Sequence, residues 1–138
     1  MKQGDVTTQD EAVILPANKC VAFTRDMTLA SGTQAITGVG FRPSSVIFLC
    51  ASSPALGAGS VGLDDTSSGR SAWVNENEDI TDQFLHRSGG ITIEATVGNP
   101  SIRYFGNVQS FDVDGITIIW TRGGAATGTL LGSFMAFK

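Results

Sequence analysis

Residues 110–121 read SFDVDGITIIWT, and this stretch decides the fold class. After Asp114-Gly115, apolar side chains occupy every second position: Ile116, Ile118 and Trp120. A period of two is that of a strand with one buried face. Asp-Gly between two such runs is typical of a hairpin whose two turn residues both take positive φ. The stretch therefore predicts an antiparallel hairpin that covers a core.

The same alternation recurs in residues 21–29, 91–97 and 131–137. In residues 91–97 the apolar positions alternate with Thr92, Glu94 and Thr96. Residues 46–51 are apolar throughout, which predicts a central strand covered on both faces. Glycine, proline and asparagine interrupt these runs at short intervals. We therefore expect an all-β fold, an antiparallel β-sandwich or jelly-roll-like domain of eight to nine short strands.

The chain has 138 residues and a mass of 14.4 kDa, which suits one domain. Charged residues make up 16%, against a usual share of about 25%. Residues 1–18 are expected to form a polar arm, and residues 19–138 the domain. The arm carries one apolar patch, which could pack on its own domain or on a neighbour: Val13, Ile14, Leu15 and Pro16.

Two further segments are less regular. Residues 51–72 are rich in Ala, Ser and Gly, so we expect a loop with a short strand near residues 60–64. That composition also suits close packing against another backbone. Residues 76–84 are expected to form at most one helical turn.

The charge pattern excludes several classes of partner. The net charge is −4 and the isoelectric point is about 4.7. Because no basic stripe or basic amphipathic helix is present, we expect no nucleic-acid partner and no membrane partner. The first 18 residues lack the apolar run of a secretory signal, so synthesis and folding in a cytoplasm are expected.

The two cysteines, Cys20 and Cys50, both lie in strand-like runs. We interpret them as reduced, buried thiols, with a disulfide as the alternative if their strands are neighbours. Two thiols without nearby partners do not complete a zinc site.

The sequence offers little for catalysis. His86 is the single histidine, and no nucleophile-elbow motif occurs. The acidic run at residues 76–82 does not have the spacing of a calcium-binding loop. The Asp64-Asp65 pair has no partner acid to form a glycosidase site. We therefore predict no catalytic residue, no metal and no cofactor.

Trp73 follows a polar stretch that contains Asp64, Asp65 and Arg70. An exposed tryptophan there would stack on a sugar or anchor an interface. These four residues form the possible surface-binding loop, within residues 64–82. Burial of Trp73 in the core is the alternative.

Three segments carry a resemblance to a known family: residues 32–48 (GTQAITGVGFRPSSVIF), 110–118 (SFDVDGITI) and 132–137 (GSFMAF). Their order resembles small virion proteins encoded by tailed bacteriophages. The resemblance implies a non-enzymatic structural β-sandwich protein of the virion.

On this resemblance we expect a capsid decoration protein, made in the host cytoplasm and bound at the particle surface. Its partners would be the major capsid protein or other virion proteins, and copies of itself in a homo-oligomer, for which we expect a trimer. The Val13–Pro16 patch would contact the capsid or a neighbouring subunit. The alternative is a tail or fibre component that binds a host-surface glycan through Trp73 and its loop.

Overall fold

The computed structural model describes residues 17–53, 59–65, 71–78, 81–88, 90–96 and 102–138. Within these ranges the chain forms ten strands and no helix. The strands are β1 (Asn18–Asp26), β2 (Gly32–Thr37), β3 (Ser45–Ser53), β4 (Gly59–Asp64), β5 (Ser71–Glu78), β6 (Thr81–Ser88), β7 (Ile93–Thr96), β8 (Arg103–Asp112), β9 (Gly115–Gly123) and β10 (Thr129–Phe137).

The strands form two antiparallel sheets. The large sheet has the order β1-β10-β3-β4-β5-β6, and the small sheet has the order β2-β9-β8-β7. The first strands of the chain thus pair with the last ones, β1 with β10 and β2 with β9, as in a jelly roll. Strands β3 to β6 and strands β7 to β9 each follow one another as simple meanders. The predicted all-β, antiparallel sandwich is confirmed, with one strand more than the upper end of the expected range.

Aromatic rings join the two sheets. Phe23, Phe48 and Phe134 come from the large sheet, and the Phe48 and Phe134 ring centroids are 5.5 Å apart. The Phe23 ring lies 6.3 Å from Trp120 of the small sheet. Phe23 pairs with Gly132 across β1 and β10, and a Cβ on that glycine would overlap the Phe23 ring. The absence of a side chain at Gly132 therefore leaves the room that the end of the Phe23 ring occupies.

One carboxylate fixes the connection between the sheets. Asp114 accepts hydrogen bonds from the backbone amides of Gly38 (3.1 Å) and Gly40 (2.6 Å), both of which have positive φ. Arg42 donates from Nε to the Phe111 carbonyl at 2.8 Å. The crossover from β2 to β3 is thereby held against the β8–β9 hairpin.

Gln34 supports the same region. Its amide oxygen accepts from Trp120 Nε1 at 3.0 Å, and its amide nitrogen donates to the Thr24 carbonyl of β1 at 2.9 Å. One side chain of the small sheet therefore satisfies a buried indole and bridges to the large sheet.

The hairpin turn differs from the expectation. Its two turn residues are Val113 and Asp114, whereas Gly115 is the first residue of β9 and does not have positive φ. Gly115 is required for another reason, because a Cβ there would overlap the Ile36 carbonyl of β2. The predicted Asp-Gly turn was therefore displaced by one residue.

Within residues 76–84, where at most one helical turn was expected, residues 79 and 80 lie outside the described chain and the others belong to β5 and β6, which pair with Glu78 opposite Thr81. The expectation for β3 was wrong. β3 is central, but only one of its faces is covered, since Phe48 is fully buried while Leu49 is 57% exposed. In residues 51–72 the short strand is confirmed as β4, and residues 54–58 and 66–70 lie outside the described chain.

Replacing Asp114 tests the link between crossover and hairpin. Asp114→Ala removes the acceptor for two amides, and we expect it to lower the free energy of unfolding by about 1–2 kcal/mol in urea titrations. Val113→Ala is the matched control from the same turn, because Val113 is 85% exposed, and we expect a change within about 0.5 kcal/mol. Equal effects of the two substitutions would contradict the role of the carboxylate.

Candidate functional site

The structure does not gather the predicted surface-binding residues into one loop. Asp64 ends β4 and is 2% exposed, so its assignment to an exposed binding surface is corrected. Asp65 is exposed at the end of the same strand. Trp73 lies in β5, not in a loop, paired in register with Val61 and His86. The Trp73 side chain, Arg70 and the Val13, Ile14, Leu15 and Pro16 patch lie outside the described residues.

The buried Asp64 carboxylate connects β4 to β8 and to the residue that precedes β7. Its Oδ2 accepts from the Thr92 hydroxyl at 2.7 Å and from the Val108 backbone amide at 3.2 Å. Asp64 belongs to the large sheet, whereas Val108 belongs to β8 of the small sheet. The carboxylate therefore positions strands inside the sandwich, where sequence reasoning placed it at the surface.

Glu94 of β7 is also fully buried. Its carboxylate lies 3.6 Å from the Arg103 guanidinium, and its backbone amide donates to the Ser60 hydroxyl at 3.2 Å. The alternation of residues 91–97 assigned Glu94 to a polar face, which was wrong because β7 is covered on both faces. Ile93 and Ala95 are buried as well.

Gly62 permits this burial of β7. A Cβ at Gly62 would overlap the Thr92 carbonyl, so the backbone of β4 is in van der Waals contact with the residue that leads into β7. The small residues of β4 therefore serve close packing against another backbone, one of the two roles that their composition indicated.

Adding one methyl group at this contact is expected to destabilise the fold. Gly62→Ala should lower the free energy of unfolding by about 3 kcal/mol, because backbone rather than a flexible side chain must move. Gly32→Ala is the control, since that strand glycine has no atom within 4 Å of an added Cβ, and we expect a change within about 0.5 kcal/mol. If urea titrations gave only a small decrease in the free energy of unfolding for both variants, close packing of the β7 segment against β4 would be contradicted.

The two cysteines are free and lie on opposite faces of the large sheet. Cys50 is buried, as expected, but Cys20 is exposed, which corrects the expectation that both are buried. β10 separates their strands, so they are not cross-strand neighbours. Burial raises the pKa of the Cys50 thiol from 9.0 to about 12.

This raised pKa predicts an inert thiol. In a Cys20→Ser variant, Cys50 should not react with iodoacetamide at pH 9 in the folded chain and should react fully in denaturant, since the thiolate is the nucleophile. The unfolded thiol ionises near pH 9.0 and the folded thiol near 12, so the fold should lose stability as pH rises between these values. Equal labelling of folded and unfolded protein would contradict burial of this thiol.

The described ranges bear on catalysis, metal binding and membrane insertion. His86 is exposed on β6. No group of three or more His, Cys, Asp or Glu side chains that could hold a metal occurs among the described residues. In the same part of the chain, no helix has the length and apolar character needed to cross a bilayer.

The surface that sequence reasoning missed is the solvent side of the large sheet. The burial pattern and the strand register place alternate positions of β1, β10, β3 and β4 on it, and we call the twelve central positions the outer face, at whose edge the exposed Asp26 follows Thr24 on the same side of β1. Its members are Cys20, Ala22, Thr24, Leu131, Ser133, Met135, Ile47, Leu49, Ala51, Gly59, Val61 and Leu63. The run of apolar residues at 46–51 was the sequence signal, but it was interpreted as a sign of burial.

The outer face has large apolar groups in solvent. Leu49 is 57% exposed, Leu131 48%, Val61 40% and Met135 37%. Single exposed apolar residues are normal on a protein surface, whereas a contiguous apolar patch marks an interaction surface. The outer face is therefore the candidate functional site.

Comparisons with known proteins add no identification: no family model, no curated protein and no solved structure matches the chain.

Proposed function

We propose that this protein is a non-enzymatic structural protein of a tailed-bacteriophage virion, where it decorates the capsid surface as a homo-oligomer. The observation that carries the proposal is the arrangement of the three segments with phage-protein resemblance. Residues 32–48 contain β2, the crossover and the first four residues of β3. Residues 110–118 contain the turn of the β8–β9 hairpin with the adjoining strand ends, and residues 132–137 lie in β10.

These three segments form one contiguous unit. β2 pairs with β9, and β10 pairs with β3. The Asp114 carboxylate binds the Gly38 and Gly40 amides, which joins the first segment to the second. The Ser44 amide donates to the Phe137 carbonyl at 2.7 Å, which joins the first segment to the third. The resemblance thus concerns residues that hold one another in place, which supports a shared structural unit.

The surface chemistry supports an assembly role. Many weakly bound copies on a lattice give strong overall attachment, because each additional contact multiplies the effect of the others. The outer face supplies exposed apolar side chains for such contacts. The Val13–Pro16 patch remains our proposed contact to the major capsid protein or a neighbouring subunit.

Immunogold electron microscopy of phage particles tests the proposal. The particles come from the phage whose genome encodes this chain, and the antibody is raised against the purified protein. We expect gold distributed over the head, with particles lacking the gene as the control.

Each other pattern has a defined meaning. Gold confined to the tail or its tip would contradict capsid decoration and favour the alternative, a tail or fibre component that binds a host-surface glycan. Absence of gold from intact particles, with the protein present in infected cells, would contradict any virion role.

A further inference from the structure

Strand β1 is one edge of the large sheet, and within the described chain it pairs with β10 alone. The Met27 amide donates to the Gly128 carbonyl at 2.9 Å, and the Lys138 amide donates to the Ala17 carbonyl at 3.1 Å. Both bonds continue the β1–β10 ladder, so the odd-numbered residues of β1 direct their backbone groups toward β10. The even-numbered residues therefore direct theirs away from the sheet.

The chain itself covers one end of this edge. The Gln34 side-chain amide donates to the Thr24 carbonyl at 2.9 Å, and the Leu29 backbone amide donates to the Asp26 carbonyl at 3.3 Å. Within the described chain, neither backbone group of the other even-numbered residues has a hydrogen-bond partner: Asn18, Cys20 and Ala22. We call these three residues the free edge.

The free edge lacks the usual protection of an edge strand. Folded proteins shield such edges with charged side chains, proline, a bulge or a very short strand. Strand β1 has nine residues, its register with β10 is continuous, and no charged residue or proline lies between Lys19 and Arg25. Val21, in the middle of this stretch, packs against the core but is only partly buried. A strand beside β1 would pair the backbone groups and complete the burial of Val21.

We propose that the free edge pairs antiparallel with the free edge of a second copy of this chain, so that two large sheets join into one. An antiparallel pair of identical strands has a two-fold axis, so the same residues serve both copies. Cys20 of one copy lies opposite Cys20 of the other, and Asn18 lies opposite Ala22. Each of these residue pairs exchanges two backbone hydrogen bonds. The inference deepens the homo-oligomer part of the proposed function, on which it rests, and does not depend on the virion location.

The neighbouring registers each have a defect. Sliding one strand by two residues in one direction places the two Lys19 side chains directly opposite each other, and like charges there are destabilising. Sliding it by two residues in the other direction places Asn18 opposite Thr24, whose carbonyl already accepts from Gln34. A further slide places Lys19 opposite Arg25. The proposed register uses every backbone group of the free edge and no group that is already bonded.

The charges near the free edge are compatible with this register. Lys19 lies opposite Val21 of the other copy, along which its alkyl stem can pack. The two Lys19 side chains are diagonal neighbours, and because both are exposed their ammonium groups stay in water. Arg25 and Asp26 lie outside the paired stretch, residues 17–23.

Sedimentation velocity over a concentration series measures the association of the purified full-length protein. A paired stretch of this length is a small interface, so we expect one chain at low concentration and two chains as the concentration approaches about 1 mM. Ala22→Pro removes an outward amide without removing a β1–β10 hydrogen bond, and it should remain one chain throughout. Ala22→Ser, which keeps the amide, is the matched control and should associate like the wild type. Circular dichroism verifies that both variants are folded.

Disulfide cross-linking tests the register and needs no proline variant. Residues opposite one another in a hydrogen-bonded pair have Cα atoms about 5.5 Å apart, within the range of a disulfide. Mild oxidation of the wild type should therefore join two chains through Cys20. In the Cys20→Ser/Ala22→Cys variant the two new cysteines would be four residues apart along the strands, about 13 Å, and no covalent dimer should form. Position 22 is a matched control because it is exposed on the same side of β1.

The overturning results are distinct. A wild-type mass of one chain up to about 1 mM would refute the pairing. A mass of three chains would favour the trimer expected from the sequence and contradict a two-fold pair. Undiminished association of folded Ala22→Pro, or a covalent dimer formed as readily from position 22 as from Cys20, would also overturn the inference. Any of these results together with gold on the phage head would leave the proposed virion role standing, whereas a two-chain mass without gold on particles would refute that role and not the pairing.

Discussion

The contact of the Phe23 ring with Gly132 and Trp120 is the constraint on which the sandwich depends. Phe23 lies on β1 directly opposite Gly132 of β10, and any larger residue at that glycine would collide with the ring. The ring then reaches the indole of the small sheet. This arrangement sets how closely the two sheets approach, and Phe48 and Phe134 complete the cluster beside it.

Several secondary contacts follow from that spacing. With the sheets held at this distance, Gln34 spans from the Trp120 indole to the β1 backbone, and Arg25 donates to the Tyr104 hydroxyl at 2.8 Å. The buried Asp64 carboxylate performs the same bridging at another place in the sandwich. Aromatic packing supplies the apolar area that is buried between the sheets. A few hydrogen-bonded polar groups fix the position of one sheet on the other.

Much of the fold was predictable because alternation is a local signal. The strands at residues 21–29 and 116–120 show their inward residues directly in the sequence. Glu94 was misplaced because burial of both faces of β7 depends on β4, some thirty residues away in the chain, and on the absence of a side chain at Gly62. The outer face was missed for the opposite reason: alternation of apolar and polar residues is absent from β3, and the sequence does not distinguish a core partner from an external one. The binding site predicted around Trp73 required these residues to share one loop, whereas Trp73 belongs to strand β5.

The position of β10 has a consequence for the order of folding. β10 lies between β1 and β3, so the large sheet joins segments more than a hundred residues apart in the chain. Closing such distant contacts is slow compared with forming the β5–β6 or β8–β9 hairpin. Until β10 inserts, β1 has no partner in the sheet, and Leu131 and Met135 are not beside Leu49 and Ile47. An unpaired strand edge makes an incompletely folded chain prone to aggregation, so insertion of β10, which covers the edges of β1 and β3 in one step, is the event that ends this exposure.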